Sequence, residues 1–269
     1  MFFSSFPNFY KKSLPTFATT LVKEAMFLGV DIGNTRTKIA VYEKDKIQEV
    51  IFSSTENFHE KILEITSKSS FQTEIIISSV GYLKEEQLIF LKNNFSVRMI
   101  SHKNPFPFNN LYGTPETLGI DRMVLASGAS LMYPNENVLV IDAGTCITYD
   151  FISNKNEYLG GAISPGFDLR YKSLNDYTAK LPRLHFEGKA NLIGKSTSES
   201  IQSGIVNGII QEIDGIIDLY KQKNDTLTII LTGGDANFLS MQLKNSIFVH
   251  SFFLLESLNR LHHYIQKYD

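Results

Sequence analysis

The sequence predicts an α/β protein built from two duplicated domains that face each other across a cleft suited to nucleotide phosphates. Three observations carry this. Short β-branched runs alternate with stretches of helical periodicity along the chain. Two of the apolar runs end in Asp-x-Gly, in "VDIGNTRTK" at 30–38 and "IDAGTCIT" at 141–148. Asp31 and Gly33 recur as Asp142 and Gly144, and Thr37 as Thr148, at an offset of 111 residues (142 − 31). Two such loops could also arise independently, so the duplication is an expectation. A chain of 269 residues is long for one ordinary core and ample for two.

Residues 1–25 mix aromatics with Ser, Thr and Pro and show no sustained apolar run, so they do not read as a secretory signal. Met26 suits a functional start; a disordered or loosely docked extension is the alternative. The first domain is expected over 26–136. "FLGVDIG" and "TRTKIAVYEKDKIQEVIFSS" read as three consecutive strands, with turns at Gly33-Asn34 and Glu43 to Lys46. Phe58, Ile62 and Ile65 predict a helix over 56–67, "EIIISSV" a buried strand, and "KEEQLIFLKNN" a second helix. A third helix is expected from Pro115 to Tyr133, because proline is tolerated in a first turn.

The second domain, 137–269, repeats the grammar in "NVLVIDAGTCITYDFISNKNEYLGGAI", an apolar strand, a threonine-rich partner and a third strand after a polar turn. Ile201, Ile205, Ile209, Ile213, Ile216 and Tyr220 form one helical stripe beside the small residues Ser200, Gly204 and Gly208. "TLTIILTGGDA" is a buried strand running into a Gly-Gly turn, and "FFLLESLNRLHHYI" a final amphipathic helix.

A net charge of −2 offers no broad attraction for nucleic acid or an anionic membrane. No apolar stretch approaches membrane-spanning length. One cysteine, Cys146, permits no intrachain disulfide, which fits a reducing cytoplasm, and no CxxC or paired-histidine spacing suggests zinc. A strand that turns tightly after Asp-x-Gly exposes N–H groups that phosphate oxygens can use. Lys38 can reach phosphate, and the Asp31 and Asp142 carboxylates can hold a cation.

These motifs are specific as a set. "DIGNTRTK" resembles the DxGNTxxK phosphate loop of type III pantothenate kinases, "LGIDR" their GxDR segment, and "DAGTCIT" their second DxGTxxT loop. The likeness continues through "GGAISPG", "TAKLP" and "TGGDA", covering nearly all the chain from Met26. The resemblance implies the actin-like, ribonuclease H-like fold and ATP-dependent phosphorylation of pantothenate, the first step of coenzyme A synthesis. It implies that Asp31, Ile32, Gly33, Asn34, Thr35, Arg36, Thr37 and Lys38 line ATP with Mg²⁺, and that Thr145 meets it from the other side. It further implies that Asp142 holds potassium or ammonium and that Asp121 is the general base. Tyr112, Gly119, Ile120, Asp121, Arg122 and Thr197 would contact pantothenate, in a homodimer whose interface encloses that pocket.

Read without the resemblance, the same residues keep blander roles. Asp121 could be a surface helical acid paired with Arg122 or a neighbouring lysine, Tyr112 a loop aromatic over the core, and Thr197 a helix-terminal residue in "STSES". Another small-molecule kinase and a non-catalytic regulator are the competing functions. The GxDR segment argues against the first, and retention of Asp31, Asp121 and Asp142 against the second. No basic DNA-reading helix is apparent.

Overall fold

The structure is a computed structural model that describes residues 26–67, 73–81 and 83–269. The expectation for residues 1–25 lies outside the described residues. Two sheets carry the fold. The first contains β1 (Met26–Ile32), β2 (Thr37–Glu43), β3 (Lys46–Ser53), β4 (Thr73–Ser79) and β5 (Ser96–Met99), in the order β3-β2-β1-β4-β5. β1 is apolar apart from Asp31 because it lies at the centre, antiparallel to β2 and parallel to β4. The second contains β6 (Asn109–Asn110), β7 (Val138–Ala143), β8 (Cys146–Ile152), β9 (Glu157–Pro165), β10 (Thr228–Thr232) and β11 (Phe248–Val249), in the order β11-β10-β7-β8-β9-β6.

Helices α1 (Phe58–Ser67) and α2 (Glu85–Asn94) cover the outer face of the first sheet, around Phe58, Ile62 and Leu91. Between the sheets run α3 (Ile120–Met132) and α7 (Phe253–Ile265), which share one core with Val138, Val140 and Ile230. α3 lies against β7 and β8, and α7 against β1 and β4, so each sheet is covered by a helix from the other half of the chain. The outer face of the second sheet is covered by α4 (Phe167–Asp176), α5 (Thr197–Lys221) and the short α6 (Ala236–Ser240).

The crossing of α3 and α7 is close. A Cβ on Gly128 would stand 1.8 Å from Ser257 Oγ and 3.2 Å from Ser257 Cα. Gly128→Ala therefore forces the two helices apart and costs about 3 kcal/mol of stability. Urea unfolding measures this as a fall in the transition midpoint at unchanged slope.

Two expectations need correction, and the partner of the α5 stripe, which periodicity leaves open, is fixed. The helix expected over 115–133 is split: Pro115–Thr117 forms a single 3-10 turn, Leu118 and Gly119 are extended, and α3 starts at Ile120. Leu118 is buried and its carbonyl accepts a hydrogen bond from His102 Nε2 at 2.8 Å, which holds the chain out of helical register. The isoleucine stripe of α5 faces its own sheet, with Ile201, Ile205, Ile209 and Ile213 buried in the core there, while Gly204 and Gly208 face open space. Second, Thr37 and Thr148 are not equivalent. Asp31 stands opposite Lys38 in β2, whereas Asp142 stands opposite Thr148 in β8. The first turn is one residue longer, so the offset of 111 slips to 110 beyond it.

Candidate active site

Each Asp-x-Gly turn is closed by its glycine: Gly33 N–H donates to the Arg36 carbonyl at 3.2 Å, and Gly144 N–H to the Cys146 carbonyl at 2.9 Å. A second glycine packs behind each turn. A Cβ on Gly81 would meet the Gly33 carbonyl at 2.5 Å, and one on Gly166 the Gly144 carbonyl at 2.1 Å. The two turns then meet across the cleft. Thr35 and Thr145 hydroxyls are 2.9 Å apart although 110 residues separate them.

The floor of the cleft is acidic with one lysine in it. Lys38 Nζ contacts Asp31 Oδ2 at 3.2 Å. Burial raises the Asp31 carboxyl above its ordinary value, opposed by Lys38. Burial also raises Asp142, to about 7; Lys38 lowers it, and the Asp31, Asp121 and Asp150 carboxylates add to the rise. Thr37 stands opposite Ile32 in the strand pair, so its fully buried side chain lies on the face away from Lys38, and its Oγ1 has no protein partner among the described residues. Arg36 leaves the turn to stack on Phe52, 4.7 Å from its ring centre, and lies beside Gly234 of the Gly-Gly turn. Ile32 points the other way, fully buried in the first sheet's core, so it can meet a nucleotide only through its backbone.

Asp121 and Arg122 open α3, where the split described above places them. Asp121 Oδ1 accepts the Arg122 backbone N–H at 2.8 Å, and a Cβ on Gly119 would stand 2.4 Å from the same oxygen. Only glycine leaves that carboxylate in place. Its pKa is raised, chiefly by burial and further by Asp31, and lowered in part by the Arg122 N–H. The Asp121–Arg122 side-chain pairing that the blander reading of Asp121 supposes does not occur. Arg122 is buried and its Nε donates to Asp150 Oδ1 at 2.8 Å, while its Nη2 has no partner among the described residues. The Tyr112 ring centre lies 5.8 Å from the Arg122 guanidinium carbon.

Gly119, Asp121, Arg122 and Tyr112 thus form one cluster. Thr197 stands elsewhere. It follows the N-cap Ser196 on α5 and lines a groove of about 580 Å³ with Leu174, Leu181, Ile201 and Gly204. Asp150 and Tyr158 escaped the sequence reading. The available signal was an acid in "CITYDFI" at a strand position facing the core.

A family model for type III pantothenate kinases matches residues 27–219. The chain is 48% identical over 239 residues to the type III pantothenate kinase of Flavobacterium johnsoniae, covering 89% of this chain and 98% of that one. It is 49% identical to that of Flavobacterium psychrophilum, at 89% and 99% coverage. Among solved structures, a Campylobacter jejuni protein described as a Baf family transcriptional activator superposes with a TM-score of 0.60 at 21% identity, over 89% of this chain and 99% of that one. A Sinorhizobium meliloti protein described as a putative 2-dehydro-3-deoxygalactonokinase gives 0.55 at 12% identity, with 89% and 99% coverage. At these identities the two structures speak for the fold alone.

Proposed function

The chain belongs to the type III pantothenate kinase family, and within that activity we propose that Asp121 is the general base and Arg122 the group that holds pantothenate's carboxylate. It phosphorylates pantothenate with ATP in coenzyme A synthesis. The observation that carries the proposal is the pair itself: a carboxylate raised by burial, beside a buried guanidinium whose Nη2 has no partner. A buried donor without an acceptor is costly unless a ligand supplies one.

An alcohol is a weak nucleophile, and a carboxylate within hydrogen-bond reach accepts its proton as the bond to phosphorus forms. Anchoring the carboxylate end on Arg122 and Tyr112 orients the hydroxyl end toward Asp121. The turns at Gly33 and Gly144 offer N–H groups to the phosphates, and Lys38 offsets their charge. Kinases of this kind use a divalent metal with ATP, which spreads the charge on the transferring phosphoryl group. Among the described residues there is no cluster of three or more His, Cys, Asp or Glu able to hold a metal ion. Such an ion would therefore rely on the nucleotide's own oxygens together with Asp31.

The monovalent cation belongs to Asp142 on this reading. Its carboxyl, raised to about 7, fits a group whose burial and carboxylate neighbours outweigh the Lys38 charge until a cation arrives. Proton and cation then compete. The potassium concentration for half-maximal rate should rise as pH falls through about 7, and Asp142→Asn should abolish the potassium response. Initial rates at fixed ATP across pH 6 to 8.5 check this; a potassium requirement that does not move with pH would remove Asp142 from the role.

Thr197 in a groove apart from Asp121 supports a dimer in which one protomer's α5 completes the other's pantothenate pocket. No helix among the described residues is long and apolar enough to cross a membrane. A cytoplasmic site of action fits a chain whose substrates are soluble metabolites.

A further inference from the structure

Asp150 is completely buried and takes no part in the chemistry set out above. It lies opposite Val140 in β8, the position that Ala40 holds opposite Gly29 in β2. In the first sheet this position is an ordinary core site, with Ala40 packed near Leu255 of α7. In the second sheet the same position carries a carboxylate, facing α3. Its oxygens are fully engaged. Oδ1 accepts Arg122 Nε at 2.8 Å and the Tyr158 hydroxyl at 2.7 Å, and Oδ2 accepts the Thr148 hydroxyl at 3.1 Å.

A buried ion pair is a poor way to gain stability, since apolar packing of the same volume commonly does as well or better. Its presence here points to a requirement on Arg122. The guanidinium is planar, so fixing Nε against a carboxylate that two hydroxyls hold in one rotamer also fixes where Nη2 points. That Nη2 is the atom left buried without a partner. We infer that Asp150 is a positioning residue which, with Tyr158 and Thr148, aims Arg122 at the carboxylate of the substrate and so sets the preference for an acid over an uncharged analogue. The inference rests on the reading of Arg122 as the carboxylate-binding group. Thr148 also stands opposite Asp142, so the same strand serves both the cation aspartate and the acid-recognition network.

The test compares kcat/KM for pantothenate with that for its alcohol analogue, in which CH₂OH replaces the carboxylate, in the full chain with ATP and Mg²⁺. The wild-type protein should prefer the acid by about tenfold to a hundredfold, the range of a charge-assisted hydrogen bond. Asp150→Asn should shrink that preference to about threefold by raising KM for the acid, leaving KM for ATP and the rate on the alcohol little changed. Tyr158→Phe keeps the carboxylate and removes one donor, so it should shrink the preference part-way; it decides the matter if Asp150→Asn does not fold. Equal losses on acid and alcohol, or an undiminished preference, would reduce Asp150 to a structural ion pair. Arg122→Gln separates the two layers. Should it keep the acid preference, the reading of Arg122 itself fails; should it lose the preference while the Asp150 and Tyr158 variants keep theirs, only the positioning inference fails.

Discussion

Asp121→Asn lowers kcat by a factor of about 10² or more while the melting temperature stays unchanged or rises. The amide keeps the size of the carboxylate and can still meet the Arg122 backbone N–H through its oxygen, so α3 keeps its first turn. It cannot accept the proton of the substrate hydroxyl. The stability sign follows from the shift. Burial raises the Asp121 carboxyl, so its ionised form is disfavoured in the folded protein, and the cost appears as pH rises above the ordinary carboxylate range. A neutral amide does not incur it. Rates within a few-fold of wild type, in a variant whose fold is intact, would place the base elsewhere. Asp31→Asn separates the roles: it should raise KM for ATP, because Asp31 contacts Lys38 beside the turn proposed to bind the phosphates.

If α5 packs in the proposed dimer, Gly208→Arg is expected to separate the two copies and to weaken pantothenate binding together. Among the described residues nothing lies within 4 Å of a Cβ built on Gly204 or Gly208, so a side chain can leave α5 there without displacing the protomer's own core. Its only steric cost falls on a second copy packed along that edge of α5. Light scattering reads the association, and KM for pantothenate reads the pocket; KM for ATP should hold, since both turns proposed for the nucleotide meet within one chain. A wild-type protein that is monomeric at micromolar concentration and fully active would defeat both the dimer and the shared pocket.

The fold was legible in the sequence wherever local pattern and burial agree. β1, β4 and β7 are continuous apolar runs because they lie inside their sheets, and α5 and α7 declared their faces by helical spacing. Partners were less legible than elements. The isoleucines of α5 proved a buried face but could not say against what, and the structure gives them to their own sheet. The two-residue strand β6 has no periodicity to detect, because it exists through pairing with β9, a segment some 50 residues further along. The turn motifs gave the residues that meet at the cleft, Thr35 and Thr145 among them. They could not reveal that one turn is a residue longer, which a linear offset hides and a strand register shows. The motif singled out Arg122, yet its anchor Asp150 lies 28 residues away in β8, where only a tertiary contact links them.

The most direct measurement of the central claim is product analysis with the full chain, pantothenate, ATP and Mg²⁺ in potassium buffer, following ADP and the phosphorylated acceptor by mass spectrometry. The expected result is one 4′-phosphopantothenate for each ADP, with both products falling together in Asp121→Asn. ADP formed without phosphopantothenate, or phosphopantothenate formed by Asp121→Asn at the wild-type rate, would contradict the assignment of this cleft and its base.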